Sequence, residues 1–151
     1  MNIIEILKEK NLTISSAESI TAGLIASDIC SISGASNYFK GGIVAYTKEA
    51  KSNILKLDMA DIEKYGVYSY ETVIKMAQNA QKILKSDLAI ATSGVAGPGS
   101  DEGVKEGTVY FAIAIKDDVK TYKEVFSGTR NEIRKKASTW AIDKICDLLT
   151  K

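Results

Sequence analysis

Leu88-Ala89-Ile90-Ala91, running into Thr92-Ser93-Gly94-Val95-Ala96-Gly97-Pro98-Gly99-Ser100, is the stretch whose reading decides the fold. A short, unbroken apolar run reads as a central strand covered on both faces, and a glycine-rich loop follows it. Downstream, Val109 to Ile115 is a second fully apolar strand. Lys116-Asp117-Asp118 makes a tight turn into Val119 to Phe126, where polar and apolar residues alternate as in an antiparallel, edge-like strand. Thr129-Arg130-Asn131-Glu132 fits a capping box and opens a last helix that buries Ile133, Ala137, Trp140, Ala141, Ile145 and Leu148.

Upstream, Ser69 caps a helix that buries Val73, Met76, Ala77, Ala80 and Leu84, preceded by a short helix near Met59 to Tyr65 and another from Lys48. Gly42 to Thr47 reads as a strand after the turn Gly34-Ala35-Ser36-Asn37. Ser19 is expected to cap a helix to about Ile32, behind a strand over Leu12 to Ser16. An amphipathic helix with Ile3, Ile4 and Leu7 on one face opens the chain and ends at Asn11. Helices alternating with apolar strands, and one late hairpin, predict a single three-layer α/β/α domain over 1–151 with a mixed, mostly parallel sheet. Ligands of such sheets bind at the carboxyl ends of the strands.

Composition narrows the function. The chain has 151 residues, enough for one real core. Its 20 basic and 19 acidic residues leave a net charge of +1, which argues against stable nucleic-acid binding. No apolar stretch is long enough to span a bilayer, so no membrane partner is expected. The opening Met1-Asn2-Ile3-Ile4-Glu5 lacks a basic run before an apolar one, so no secretory signal is expected. The two cysteines, Cys30 and Cys146, read as buried free thiols, which points to a cytoplasmic setting. The count that matters most is zero histidines. It removes Ser-His-Asp triads, Cys-His dyads and histidine metal ligands together. Any proton transfer falls to Lys, Tyr, Asp, Glu or Cys.

Three junctions carry small and hydroxyl residues suited to an anion: Ser16 to Gly23, Thr92 to Ser100, and Ser127 to Arg130. Neither a Walker A nor a Rossmann glycine pattern is present. The stretch from Gly34 to Lys51 places Ser36 in a turn before a strand, Tyr46 at the strand's end and Lys51 one turn into the next helix. Without histidine, a serine nucleophile requires lysine as base, and that lysine must be depressed by burial or a nearby cation. The same three residues also suit a turn, a core aromatic and a solvated helix face. Glu18 suits either a ribose hydroxyl or the first turn of a helix. Arg130 opposes the dipole at its helix start, which suits an anion site or a surface ion pair.

These stretches resemble the CinA C-terminal domain family. The family pattern runs approximately S/T-A-E-S-x-T-G-G, then G-(S/A)-S-x-(Y/W)-F-x-G-G-x-V-x-Y-x-N-x-x-K, S-G-x-A-G-P-x-G, G-T-V and F-x-G-x-R. Here it stands as Ser16 to Gly23, Gly34 to Lys51, Ser93 to Gly99, Gly107 to Val109 and Phe126 to Arg130. The matches fall in order over almost the whole chain. Two departures are Ala22 for glycine, expected to tighten a ligand's approach to that helix start, and Lys48 for asparagine.

The resemblance implies hydrolysis of the carboxamide of nicotinamide mononucleotide (NMN) to nicotinic acid mononucleotide and ammonia, without metal or other cofactor. It implies catalytic roles for Ser36, Tyr46 and Lys51 with Arg130 assisting. On that basis we expect Ser36 to be the nucleophile and Lys51 its base. Glu18, Ser19, Thr21, Gly23, Ser93, Gly94, Ala96 and Gly97 are expected to face the nucleotide. A homo-oligomer is expected as well. Full-length CinA proteins carry a separate N-terminal domain linked to pyrophosphatase activity, which this chain is not expected to have. Two other readings fit the same residues: a non-catalytic nucleotide-binding or regulatory module, and an amidohydrolase for another amide.

Overall fold

A computed structural model describes all residues 1–151. Five strands form one open sheet: β1 (Ile14–Glu18), β2 (Phe39–Val44), β3 (Leu88–Gly94), β4 (Thr108–Ile115) and β5 (Asp118–Val125). Their order is β2-β1-β3-β4-β5. β1 pairs in parallel with β2 and β3, and β4 is antiparallel to both β3 and β5. Four strands therefore share one direction and β4 alone opposes it. The six helices are α1 (Ile3–Lys10), α2 (Leu24–Cys30), α3 (Lys48–Asn53), α4 (Met59–Tyr65), α5 (Tyr70–Leu84) and α6 (Arg130–Thr150).

The strand sequences explain how the layers stack. Successive side chains of a strand point to opposite faces. In β3, Leu88 and Ile90 join the core under α1, α2 and α6, whereas Ala89 and Ala91 face α5. β4 repeats the division, with Val109, Phe111 and Ile113 on the first face and Ala112 and Ala114 on the second. One face is thus lined by bulky residues. The other is lined by alanine, which lets α5 lie close across the centre of the sheet. Trp140 of α6 is only half-buried, packed on Phe111 with ring centroids 4.3 Å apart.

Most helix boundaries follow their capping residues. Thr47, Asp58, Ser69 and Thr129 each accept a backbone amide of the helix they open, and Asn11 closes α1 in the left-handed region. One expected cap is overturned. Ser19 does not open α2, which begins only at Leu24 behind a turn in which Ala22 and Gly23 both have positive φ. The capping group is the Glu18 carboxylate, which accepts the amides of Gly23, Ile25 and Ala26. β1 also lies two residues later than expected, and β2 three residues earlier. Both shifts matter, because they set Ser19 directly beyond the carboxyl end of β1 and Tyr46 beyond that of β2. Cys30 is exposed rather than buried, and Cys146 is half-buried.

Candidate active site

The strand order reverses direction about β1 and β3: the chain moves from β1 outward to β2, then returns across to β3 and on to β4. A crevice forms outside the carboxyl ends of strands at such a switch point. Here it is a cavity of about 420 Å³. Its lining includes Ser19 and Ile20 after β1, Tyr46, Lys48 and Lys51 after β2, and Gly94 to Glu102 after β3, with Tyr68 and Arg130 at its sides.

At its floor the Lys51 ammonium donates to the Ser19 hydroxyl at 3.0 Å and to the Ala45 carbonyl at 2.9 Å. Lys51 is only 2% exposed and is, with Phe111, among the largest fully buried side chains in the protein. A lysine so far from water is costly to keep charged. Burial lowers its pKa from the ordinary 10.5 to about 8, against a smaller upward pull from the Glu102 carboxylate. A fraction of Lys51 is therefore neutral near pH 7, one hydrogen bond from a serine. Ser19 is held by its own amide, which donates to the Thr92 carbonyl at 3.2 Å across the β1–β3 pair.

At the mouth, the Arg130 guanidinium donates to the Gly97 carbonyl at 2.6 Å and to the Tyr46 hydroxyl at 2.9 Å. It thereby ties α6 to the β3 loop and to the end of β2. Opposite, Tyr68 donates to Asp101 at 2.6 Å, and the Lys48 ammonium lies 3.3 Å from Glu102. Burial and the Asp101 carboxylate both push the Tyr68 pKa upward, so it keeps its proton. The amides of Ile20, Ala96 and Gly97 have no hydrogen-bond partner in the chain. Gly94 is required for packing: a Cβ there would stand 2.6 Å from the Thr108 carbonyl oxygen and 2.9 Å from the Val109 Cα.

Tyr46, Lys51, Arg130, Ser19, Gly94, Ala96 and Gly97 are thus brought together. Ser36 is not. It lies exposed in a 3-10 turn (Ala35–Asn37) at the amino end of β2, beside a separate depression with Cys30 and Phe39. β2 is six residues long, which at about 3.3 Å per residue puts roughly 20 Å between its two ends. Within this chain the serine beside Lys51 is Ser19. Ser36 was expected as nucleophile on the family resemblance; within one chain it lies away from Lys51, and the parallel β1–β2 pairing sets Ser19 there.

Four expected nucleotide contacts serve the fold rather than the cavity. Glu18 is fully buried and accepts four hydrogen bonds, from the Ser16 hydroxyl and the amides of Gly23, Ile25 and Ala26. Thr21 is buried against the Thr92 hydroxyl at 3.0 Å. Gly23 caps α2 with φ +97°. Ser93 is buried and donates to the Val67 carbonyl at 2.7 Å. Ala22, one of the two departures from the family pattern, also lies outside the cavity lining; its cost is a φ of +45°, unfavourable for a residue with a Cβ. Lys48, Tyr68, Asp101 and Glu102 line the cavity without having been foreseen. Lys48 was legible as the residue one helical turn before Lys51; nothing in the sequence marked Tyr68.

Comparison with known proteins agrees with this architecture. The family profile described as CinA C-terminal domain matches residues 1–149. The chain belongs to the CinA C-terminal domain family. A CinA-like protein of Petrotoga mobilis is 41% identical over 152 residues, covering 100% of this chain and 38% of that protein. A CinA-like protein of Pseudothermotoga lettingae is 43% identical over 150 residues, covering 98% of this chain and 37% of its own length. The chain therefore spans little more than a third of these CinA relatives. Among solved structures, a competence or damage-inducible protein from Enterobacter asburiae superposes with a TM-score of 0.93 at 32% identity, over 96% of this chain and 92% of that one.

Proposed function

We propose that this chain hydrolyses the carboxamide of NMN to nicotinic acid mononucleotide and ammonia, with Ser19 as nucleophile and Lys51 as base. The observation that carries the reading is the 3.0 Å contact between a buried, partly neutral lysine and a serine on the floor of the switch-point cavity. A Ser-Lys pair is a known substitute for Ser-His when histidine is absent, and the chain has no histidine.

Neutral Lys51 takes the Ser19 proton as the serine oxygen attacks the carboxamide carbon. The carbonyl oxygen becomes an oxyanion, for which the unpartnered amides of Ile20, Ala96 and Gly97 are suitable donors. The Lys51 ammonium then gives its proton to the departing nitrogen. The C–N bond breaks, ammonia leaves, and a Ser19 ester of the nicotinate remains. Water attacks that ester, losing a proton to Lys51, and the nicotinate departs as Ser19 recovers its hydrogen. No step calls on a metal or other cofactor.

Arg130 suits the phosphate end of the nucleotide, since its guanidinium reaches over the mouth with donors to spare beyond Gly97 and Tyr46. Asp101 and Glu102 put negative charge on the wall that would face the positive pyridinium ring.

The test is to incubate the purified protein with NMN and follow ammonia and nicotinic acid mononucleotide together, beside Ser19→Ala and Ser36→Ala. Turnover lost in Ser19→Ala and kept in Ser36→Ala supports the reading. If the parent protein binds NMN but releases nothing, the chain is a binding or regulatory module. If turnover survives Ser19→Ala, Ser19 is not the nucleophile.

A further inference from the structure

A lysine base is only as useful as its unprotonated fraction, so the charges around Lys51 decide its working range. On α3 itself, Lys48 precedes Lys51 by three residues, a spacing that puts both on one helix face. Around the cavity stand Ser19 after β1, Tyr46 before α3, Tyr68 before α5, Asp101 and Glu102 in the loop after β3, and Arg130 at the start of α6. Several of these are already engaged. Asp101 accepts the Tyr68 hydroxyl, and Arg130 is bound to Gly97 and Tyr46. Glu102 is the carboxylate that acts on Lys51, favouring its charged form, and its partner is the Lys48 ammonium at 3.3 Å. Lys48 also lies 3.8 Å from Glu63 of α4, so it is anchored from two sides and stays charged.

We propose that Lys48 and Glu102 form a tuning pair for the Lys51 base, in which Lys48 masks the one carboxylate that would keep Lys51 protonated. Lys48 acts through Glu102, whose charge it offsets at 3.3 Å. Lys48 touches none of the reacting atoms in this scheme, so it is a positioning residue. Its placement where the family pattern has asparagine makes the device a feature of this chain.

The proposal bears on catalysis only through the Ser19–Lys51 reading, so its test includes an arm that needs no turnover. The whole protein, labelled at the lysine ε-carbon with ¹³C, is titrated by NMR without ligand, as parent, Lys48→Asn, Glu102→Gln and the double variant. Resonances are assigned with Lys51→Arg, and folding of each variant is checked by circular dichroism. Lys48→Asn is expected to move the Lys51 midpoint to higher pH and Glu102→Gln to lower pH, each by about half a pH unit or more. The double variant should sit below Lys48→Asn, because the carboxylate that Lys48 masks is gone. In the second arm, the acid limb of kcat/KM for NMN should move with each midpoint. Shifts of the same sign in the two single variants, or a Lys51 midpoint indifferent to both, would overturn the proposal. Opposite NMR shifts with a pH–rate profile that ignores them would uphold the tuning pair and count against Lys51 as the catalytic base.

Discussion

Lys51 reaches from the first turn and a half of α3 to within 3.0 Å of the Ser19 hydroxyl, across the β1–β2 pair, while remaining 2% exposed. Burial lowers its pKa to about 8, so substituting it separates the proposed function from stability. Lys51→Met keeps the apolar stem and removes the group proposed to take the Ser19 proton. Turnover of NMN is expected to fall by about a thousandfold or more, while thermal unfolding at pH 7 shows no loss of stability. A Tm well below that of the parent would mean that the hydrogen bonds to Ser19 and Ala45 outweigh the cost of burying the charge.

The same burial predicts a pH dependence of folding. Lys51 titrates at about 8 in the fold, against 10.5 ordinarily, so between these values the unfolded chain holds more protons than the folded one. Stability from this group therefore rises as pH rises through the window and is lost as pH falls through 8. The full difference is worth about 3 kcal/mol. Urea unfolding of the parent and of Lys51→Met between pH 7.5 and 10 should give stability curves that converge or cross as the parent gains. Parallel curves would show that Lys51 is not depressed.

The centre of the sheet was legible because β3 and β4 are written as apolar runs, and the caps Ser69 and Thr129 are local signals that need no tertiary knowledge. The site was legible only in part. Tyr46, Lys51 and Arg130 were named on the family resemblance; the absence of histidine left lysine and tyrosine as candidates without singling these out. The choice between Ser19 and Ser36 turns on strand register, since both precede or follow strands at sites rich in small residues. Only the parallel pairing of β1 with β2, Glu18 opposite Val44, puts one serine at the carboxyl edge and leaves the other at the far end. Glu18 was open between a ribose contact and a helix start for a related reason: a carboxylate beside a helix start looks alike whether it faces a ligand or, as here, folds back onto the amides.

Glu18→Ala tests that correction. The variant strips the amides of Gly23, Ile25 and Ala26 and the Ser16 hydroxyl of their shared acceptor. Leaving several buried donors unpaired is expected to cost about 3 kcal/mol, a Tm lower by roughly 6–12 °C for a domain of this size. A residue that only touched substrate would instead raise KM and leave the Tm alone.

Arg130 and Tyr46 are joined by a 2.9 Å hydrogen bond in which the guanidinium donates to the phenol oxygen. That direction leaves the Tyr46 O–H free to donate into the cavity. Arg130 opens α6, where the helix dipole disfavours a cation, and its side chain is exposed, so Arg130→Ala should change stability by no more than about 0.5 kcal/mol. Its effect should fall on NMN instead, as a higher KM and a lower kcat/KM, with a smaller effect on NMN's dephosphorylated nucleoside if the guanidinium binds phosphate. Tyr46→Phe removes the acceptor and the free O–H together. If Tyr46 serves chiefly to hold Arg130, the two single variants lose similar activity and the double variant loses little more than either. If the phenol has its own part in proton transfer, Tyr46→Phe lowers kcat for nucleoside and nucleotide alike, and the losses add in the double variant. A cycle of the four proteins on the two substrates decides between these, because residues in contact that act as one unit give a coupling energy where independent ones give none.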